Sequence, residues 1–335
     1  MTKKYDVYGI GNALVDIVTE VEDNFFFENG IEKGFMTLVD EERQHQLVQA
    51  IHLPGSNLQC GGSAANTIIG LSQFGAKGFY SCKVARDEMG KFYLKDLAGN
   101  NVSTNLTYES AAEGITGKCL VMTSPDTERT MNTFLGITAS FSVDEINEEA
   151  IKDSSYIYIE GYLVTSENGV EAMKHAKKIA EENGVKTSLT FSDPSMVKYF
   201  KPQMEEVVGN GVDLLFCNEE EAMLFTDTNN VSEASEKLKK IAKKFAITQG
   251  SEGALLFDGE KFIDIAPFPT KAIDANGAGD MFAGAFLYGI THDFNFGAAG
   301  NFASLAAARV VANLGPRLNL DQAKEVLKDF KSNNL

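Results

Sequence analysis

The sequence predicts an α/β fold in which helices cover a mainly parallel sheet, together with a small β-sheet lid. Short β-rich runs alternate with helical patterns along most of the chain, and two segments instead hold β-rich runs without a helix between them. Alternating strands and helices are typical of βαβ units, which place helices on both faces of a parallel sheet. With 335 residues, 44% of them hydrophobic, the chain can bury a large core in one or two domains.

The core begins with a predicted strand at Tyr5–Gly11, which ends in glycines. Two helical patterns separate later strands. Val170–Asn183 has apolar residues at helical spacing and an Asn-Gly stop signal, and Ser232–Lys244 has similar spacing. The later core strands are predicted at Gly78–Lys83, Tyr156–Ile159, Lys186–Phe191, Leu214–Cys217, Phe245–Thr248 and Ala254–Asp258.

The predicted lid is built from two excursions out of the main sheet, residues 12–40 and 115–135. A Ser-Pro-Asp turn divides the second excursion. Residues 1–11, 41–114 and 136–335 are predicted to form the core. The lid strands are predicted at Leu14–Val21, Phe35–Val39, Gly117–Thr123 and Arg129–Leu135.

Composition excludes several classes of protein. Thirty basic and 47 acidic residues give a net charge of −17, which repels phosphate backbones, so nucleic acid is not an expected partner. The four cysteines form no C-x-x-C pair and the four histidines show no metal-ligand spacing, so we expect reduced thiols. No apolar segment follows the N-terminus and none approaches the roughly 20 residues of a membrane span. We therefore predict a cytoplasmic protein that does not bind a membrane.

The most informative segment is Asp274–Asp280, in which Gly277, Ala278 and Gly279 precede a run of small and apolar residues that reads as a buried helix. Glycines let a ligand approach the backbone, and the N–H groups at a helix N-terminus attract anions. Asp280 stands in the first turn, where a carboxylate could take a proton from an alcohol. The same pattern alone fits a glycine loop with a capping aspartate equally well.

Two other nucleotide-binding motifs are incomplete. Residues 114–119 resemble a P-loop but lack its G-x-x-x-x-G-K-[ST] spacing. Gly9 and Gly11 lack the third glycine of a dinucleotide-binding fingerprint, because Leu14 stands at that position. An NAD-linked oxidoreductase is therefore disfavoured.

Two motifs together resemble one known family. Asp274–Asp280 and its helix resemble the C-terminal signature of the ribokinase-like (PfkB) carbohydrate and nucleoside kinases, and residues 61–66, with Gly70 and residues 74–76, resemble their N-terminal signature. Two signatures in the same order along nearly the whole chain are far more specific than either alone. The resemblance implies a three-layer α/β/α core with a β lid, ATP as co-substrate, Mg²⁺ as cofactor, and Asp280 as the base beside a Gly277–Gly279 anion hole.

The resemblance also implies an acceptor site. Asp16 matches the family's aspartate that holds substrate hydroxyls, and a carboxylate suits this task because it accepts from two vicinal hydroxyls at once. Without the resemblance, Asp16 would pass as a surface residue, and Ser63 also reads as a helix N-cap. The implied acceptor-binding residues are Asn12, Asp16, Gly61, Gly62, Ser63, Asn66, Met131, Thr133 and Tyr162.

On the nucleotide side, Thr248–Gly253 resembles the family's T-x-G-x-x-G phosphate loop, and Asn218 and Glu221 match the ends of its N-x-x-E motif. Glu221 is implied to contact Mg²⁺ through water, since this ion usually keeps several waters; the same acidic residues alone fit the first turn of a helix. Arg129 is implied to neutralise phosphate charge, unless it is a plain surface arginine. The implied nucleotide-binding residues are Asn218, Thr248, Gly250, Gly253, Asn301, Ala303 and Asn313.

Residues 128–136 and 159–163 resemble bacterial relatives assigned as adenosine kinases, and Met131, Thr133 and Tyr162 match positions that flank the base. An apolar and aromatic slot suits a purine. We therefore expect phosphorylation of adenosine at its 5′-hydroxyl, giving AMP. The alternatives are a ribose or fructose kinase and a non-catalytic nucleoside or nucleotide sensor, which needs no base. A monomer and a homodimer, and a requirement for a monovalent cation, stay open.

Overall fold

The computed structural model of the protein describes residues 3–34, 36–51, 57–126 and 129–333. Its helices and strands form two sheets with helices packed around them. In chain order the elements are β1 (Tyr5–Ile10), β2 (Leu14–Glu20), α1 (Asp23–Glu28), β3 (Met36–Leu38), α2 (Glu41–Ala50), β4 (Asn57–Gly61), α3 (Ser63–Gln73), β5 (Gly78–Ser81), α4 (Glu88–Gly99), β6 (Thr116–Thr123), β7 (Arg129–Gly136), α5 (Glu148–Lys152), β8 (Ser154–Glu160), α6 (Glu167–Glu182), β9 (Lys186–Thr190), α7 (Pro194–Val208), β10 (Val212–Asn218), α8 (Glu219–Thr226), α9 (Val231–Leu238), β11 (Ala242–Thr248), β12 (Ala254–Phe257), β13 (Phe262–Ile265), α10 (Ala278–Thr291), α11 (Phe296–Val311) and α12 (Leu320–Asn333).

The main sheet has the strand order β13-β12-β11-β10-β9-β8-β1-β5. The strands from β11 to β5 run parallel, whereas β12 and β13 pair antiparallel at one edge. In β10, Leu214 and Phe216 pack with α3, α10 and α11, while Leu215 and Cys217 pack with α6 to α9 on the opposite face. A strand buried on both faces is apolar at successive positions. The predicted three-layer α/β/α core is confirmed.

The predicted helix over Ser232–Lys244 is wrong in its C-terminal part. Helix α9 ends at Leu238, and Ala242 already pairs with Val212 as the first residue of β11. Apolar residues at positions 242, 245 and 247 fit a buried strand as well as a helix, so spacing alone could not separate the two. The parallel pairing with β10 decides in favour of the strand.

The small sheet has the order β3-β7-β6-β2-β4 and is covered on one face by α1 and α2. Phe26 and Leu47 from these helices pack on Leu120 and Met122 of the sheet. The expectation of strands without an intervening helix is therefore wrong at α1, since this face of the lid needs an apolar cover. The predicted strand Phe35–Val39 is shorter, and Phe35 lies outside the described residues.

The first excursion also extends past its predicted end at residue 40. Strand β4, which the predicted boundaries assign to the core, pairs antiparallel with β2 along Leu14–Val18. Helix α2 packs on the same sheet through Leu47. Both elements follow residue 40, so the chain returns to the main body only after Gly61, where α3 begins. Among the described residues, no helix combines the length and apolar character needed to cross a membrane.

Candidate active site

A cleft of about 430 Å³ lies between the small sheet and the carboxyl ends of the main-sheet strands. Glu160, Thr190, Asn218 and Thr248 end β8, β9, β10 and β11, and all four line the cleft. The start of α10 forms another wall. Open α/β sheets place ligands at this edge, because neighbouring parallel strands end there together.

The glycine loop before α10 has a backbone that only glycine accommodates. Gly277 has φ +71°, and a Cβ added there would lie 2.0 Å from the carbonyl oxygen of Pro316. The buried carboxylate of Asp274 accepts from the N–H groups of Asn276 and Gly315, both at 2.9 Å, and so ties the loop to the segment after α11. Residues 275–280 line the cleft, so the positive end of the helix dipole faces it.

The Asp280 carboxylate is oriented by α3 on the opposite wall. Ser63 Oγ donates to Asp280 Oδ1 at 2.6 Å, and Asn66 Nδ2 donates to Asp280 Oδ2 at 3.0 Å. Ser63 is the first residue of α3 and Gly62, with φ +99°, is its N-cap, so the alternative assignment of Ser63 as the N-cap is wrong. The site thus holds an oriented carboxylate in the first turn of one helix, beside the start of another.

Asp16 lies on the cleft face of the small sheet and is buried. A Cβ added at Gly61 on the paired strand β4 would lie 2.0 Å from Asp16 Oδ1. Gly61 therefore leaves room for this carboxylate. The backbone at Gly62 is packed as tightly as that at Gly61, since a Cβ added at Gly62 would lie 2.1 Å from the Asn12 carbonyl oxygen.

The other cleft-facing residues of the small sheet are mostly apolar. The predicted base-flanking residues Met131 and Thr133 line the cleft on β7, and Tyr162 lines it from the segment after β8. The Tyr162 hydroxyl donates to Asp193 Oδ2 at 3.4 Å, and Thr133 Oγ1 donates to the Cys119 sulfur at 3.3 Å. The remaining apolar cleft residues of the small sheet are Leu14, Met36, Leu38, Val121 and Leu135.

Asn218 and Glu221 form a capping box at the start of α8. Asn218 donates from its backbone N–H and from Nδ2 to the two oxygens of Glu221, at 3.0 and 2.9 Å, and the Glu221 N–H donates to Asn218 Oδ1 at 2.8 Å. Burial raises the pKa of Glu221 to about 8, although the hydrogen bond from Asn218 works in the opposite direction. Both residues line the cleft.

These residues would suit a Mg²⁺ ion that takes most of its ligands from water and from a bound phosphate group. Asp193, Glu221 and Asp280 bring carboxylates to one cleft, yet no group of three potential ligands within the described ranges is arranged to hold a metal by itself. Each Glu221 oxygen already accepts a hydrogen bond, which leaves it suited to a water-mediated contact. Mg²⁺ commonly binds with few direct protein ligands.

The structure brings Thr248 into the cleft, but Gly250 and Gly253 do not line it. The latter two have φ values of +54° and +96° and form the tight connection between β11 and β12. The Gln249 N–H donates to the Gly253 carbonyl oxygen at 2.8 Å within this turn. The segment is therefore a hairpin whose first residue reaches the site.

Three predicted nucleotide contacts on α11 and after it are not brought to the cleft. Ala303 is fully buried in the main core and has no surface for a ligand, so its assignment is wrong. Asn301 is exposed outside the cleft lining. Asn313 bonds to the Arg309 carbonyl at 2.7 Å and lies outside the lining as well. The Arg129 side chain lies outside the described residues.

Sequence reasoning missed Glu160, which is fully buried and lines the cleft at the end of β8. Its carboxylate accepts from Asn12 and from the start of α3. Asn12 is thus occupied by protein contacts, since its Oδ1 also accepts from Thr138 Oγ1 at 3.3 Å. Burial raises the pKa of Glu160 to about 7. Its place at the carboxyl end of a core strand was the available sequence signal.

Comparisons with known proteins agree with this geometry. The model of the pfkB family carbohydrate kinases matches residues 35–323. The solved structure of a probable sugar kinase from Rhizobium etli CFN 42 is 30% identical with a TM-score of 0.91 and covers 98% of this chain and 99% of that one. Adenosine kinase from Sinorhizobium meliloti is 31% identical with a TM-score of 0.89, over 96% and 99% of the two chains. A 5-dehydro-2-deoxygluconokinase from Clostridium botulinum is 27% identical over 81% of this chain and 84% of the relative.

An α/β core, a β lid and an oriented aspartate at a helix N-terminus are the features expected of a kinase that acts on small molecules. The chain belongs to the pfkB family of carbohydrate kinases, because the family model spans most of its length. It is therefore a phosphotransferase with the ribokinase-like fold.

Proposed function

We propose that the protein transfers the γ-phosphoryl group of ATP to the 5′-hydroxyl of adenosine, giving AMP and ADP. The observation that carries the proposal is the Asp280 carboxylate, held by Ser63 and Asn66 at the N-terminus of α10 inside the cleft. This arrangement puts a proton acceptor beside a site for negative charge, and phosphoryl transfer to an alcohol needs both.

The small sheet supports a nucleoside as acceptor, because its cleft face is polar at one end and apolar at the other. Asp16 on β2 aligns with Cys119, Thr133 and Leu38 in one row across the sheet. Neighbouring strands lie ~4.8 Å apart, so β7 is about 10 Å from β2. Asp16 can thus hold ribose hydroxyls while the apolar side chains of β7 and β3 contact the purine.

Leu38 adds to this argument because 47% of its surface is exposed at the cleft, although it is a large apolar residue. The neighbouring Met36 and Met131 pair across β3 and β7. A flat purine ring gains free energy by covering apolar side chains of this kind. A bare sugar would leave them exposed. The 31% identity to an adenosine kinase supports the same acceptor.

In the proposed reaction the 5′-hydroxyl gives its proton to Asp280 as its oxygen bonds to the γ-phosphorus. The bond from that phosphorus to the β,γ-bridging oxygen breaks, and ADP leaves. The N-terminus of α10 stabilises the negative charge of the transferring group. Glu221 would hold Mg²⁺ through water, and the bound ion supplies positive charge to the phosphates. Closure of the small sheet over the acceptor would exclude water and limit hydrolysis of ATP. The reaction would return free adenosine to the nucleotide pool as purine salvage.

A sugar kinase is the second candidate, because similar proteins include sugar kinases and the Asp16 carboxylate suits vicinal hydroxyls on either acceptor. The test is ADP release with ATP, Mg²⁺ and one acceptor at a time: adenosine, inosine, ribose, fructose or 5-dehydro-2-deoxygluconate. Adenosine should give a kcat/KM at least about tenfold above every sugar. A higher kcat/KM for a sugar would overturn the adenosine assignment, and adenosine binding without ADP release from any acceptor would indicate a sensor.

A further inference from the structure

Glu160 joins two segments that come from different parts of the chain. Its Oε1 accepts from the backbone N–H and from Nδ2 of Asn12, both at 3.0 Å, and its Oε2 accepts from the N–H of Ala64 at 2.7 Å. Asn12 lies in the connection from β1 to the small sheet, and Ala64 lies in the first turn of α3. The Glu160 side chain thus links the segment between β1 and β2, where the chain enters the lid, to α3, where the chain has left it.

Although Glu160 lines the cleft, its carboxylate is committed to contacts within the protein. Glu160 is 0% exposed, and three of the about four hydrogen bonds that a carboxylate can accept are made within the protein. Gly11 closes the remaining side, because a Cβ added there would lie 2.4 Å from Glu160 Oε2. Gly11 follows β1 directly and belongs to the incomplete dinucleotide fingerprint, and it thus makes room for Glu160.

The contacts of Glu160 lead directly to the reactive carboxylate. Ala64 stands between Ser63 and Asn66 in the first turn of α3, and these two side chains hold Asp280. Asn12 also supports this turn, because its carbonyl oxygen packs against Gly62. A shift of the α3 N-terminus would therefore move Ser63 and Asn66, which donate to Asp280.

We propose that Glu160 is a positioning residue: it fixes Asn12 and the first turn of α3 so that Ser63 and Asn66 hold Asp280 in its reactive orientation. This inference rests on the proposed phosphoryl transfer by Asp280. A carboxylate is suited to the role because it accepts from all three N–H groups, whereas a glutamine would turn an N–H₂ group towards one of them.

The role predicts a particular dependence on pH. Desolvation and, to a smaller extent, the Asp280 charge on α10 raise the pKa of Glu160 to about 7, against the opposing effect of the N–H donors of Asn12 and Ala64. Protonation would relieve the desolvation cost but would point an O–H at an N–H donor and shift the first turn of α3, so kcat should fall as pH drops below about 7. Four hydroxyls also couple to the charge of Glu160, and they stay neutral because burial raises their pKa values: Tyr80 on β5, Tyr93 on α4, Tyr158 on β8 and Tyr162 after β8.

The test compares Glu160→Gln and Gly11→Ala with the wild type, and Glu145→Gln as a matched control. Glu145 is a carboxylate in a capping box with Ser142, away from the cleft lining. The measurements are kcat and KM for acceptor and for ATP between pH 5.5 and 9, with the melting temperature of each variant. Both test variants should lower kcat by about 10- to 100-fold with KM for ATP unchanged, since small misplacements of reacting groups cost rates of this order. Glu160→Gln should also lose the kcat inflection near pH 7, and the control should match the wild type.

A Glu160→Gln variant that raises only the KM for the acceptor would overturn the inference, because that result indicates direct substrate contact. A wild-type kcat and pH profile in a folded Glu160→Gln variant would overturn it as well. If that variant does not fold, Gly11→Ala, whose Cβ would lie 2.4 Å from Glu160 Oε2 and 2.8 Å from Ala64 Cβ, tests the contact between Glu160 and α3 by the same kcat criterion. If the wild type releases no ADP with any acceptor, the proposed function fails, and the positioning role fails with it. In that case, amide hydrogen exchange of residues 62–66, compared between Glu160→Gln and the wild type, measures only how far Glu160 holds the first turn of α3.

Discussion

Asp280→Asn removes the proposed base with the smallest possible change in shape. The substitution keeps an acceptor oxygen for Ser63, but it places an N–H₂ group opposite Asn66 Nδ2, which now donates to Oδ2 at 3.0 Å. One charge-assisted hydrogen bond is lost, at a cost of about 1.5–3 kcal/mol, together with about 0.3–1 kcal/mol of favourable interaction with the α10 dipole. A general base contributes roughly 10²- to 10⁴-fold to rate, so kcat should fall by about that factor while the protein stays folded.

The assay is coupled ADP release at saturating ATP and adenosine, with adenosine affinity measured separately by calorimetry. Asp321→Asn is the matched control, because Asp321 stands in the first turn of α12 and its side chain is 96% exposed. The control should keep the wild-type kcat. Adenosine should bind Asp280→Asn within about threefold of the wild-type affinity, since the ribose hydroxyls and the purine are held elsewhere. A kcat for Asp280→Asn within a few-fold of wild type would refute the role of Asp280 as base.

Three further predictions follow from the site. Gly277→Ala places a Cβ 2.0 Å from the Pro316 carbonyl oxygen at a backbone φ of +71°. It should lower the free energy of unfolding by at least about 1–3 kcal/mol and abolish turnover. A urea titration measures the stability and the ADP assay measures the turnover, and wild-type stability would contradict the packing at Gly277. Asp16→Asn should raise the KM for adenosine by about 10- to 100-fold with a smaller change in the KM for ATP; initial rates measure this, and an unchanged adenosine KM would exclude the ribose contact. The free energy of unfolding should also depend on Glu160. Its folded pKa of about 7 lies above the ordinary value of 4.5, so its contribution is most favourable below pH 4.5 and is lost as pH rises to about 7, by up to about 3 kcal/mol. Glu160→Gln should flatten this part of the urea-derived profile, and an unchanged slope would contradict the raised pKa.

The sequence allowed the main sheet to be predicted because its strands are buried on both faces. A short continuous apolar run between helical segments, such as Leu214–Cys217, indicates a buried parallel strand. The lid was harder to predict, since α1 has only six residues and one buried side chain, Phe26. Strand β4 belongs to the small sheet through its pairing with β2, which local sequence does not report.

Site residues could likewise be predicted where local motifs place them and could not where contacts between distant parts of the chain place them. Asp280, Asn218 and Thr248 could be expected to meet, because motifs that follow parallel strands or open helices gather at one edge of the sheet. Glu160 could not be assigned a role, since its partners Asn12 and Ala64 are 148 and 96 residues away along the chain. Ala303 failed for the opposite reason: its place along the chain matched, but its side chain turns into the core.

The most direct test of the account follows the phosphoryl group itself. ATP labelled at the γ-phosphorus is incubated with adenosine and either the wild type or Asp280→Asn, and the labelled products are separated. The wild type should place the label on the 5′-oxygen of AMP, and the variant should form this product at least about 100-fold more slowly. Label recovered only as inorganic phosphate, or labelled AMP formed equally fast by both proteins, would contradict a cleft in which Asp280 directs phosphoryl transfer to a nucleoside.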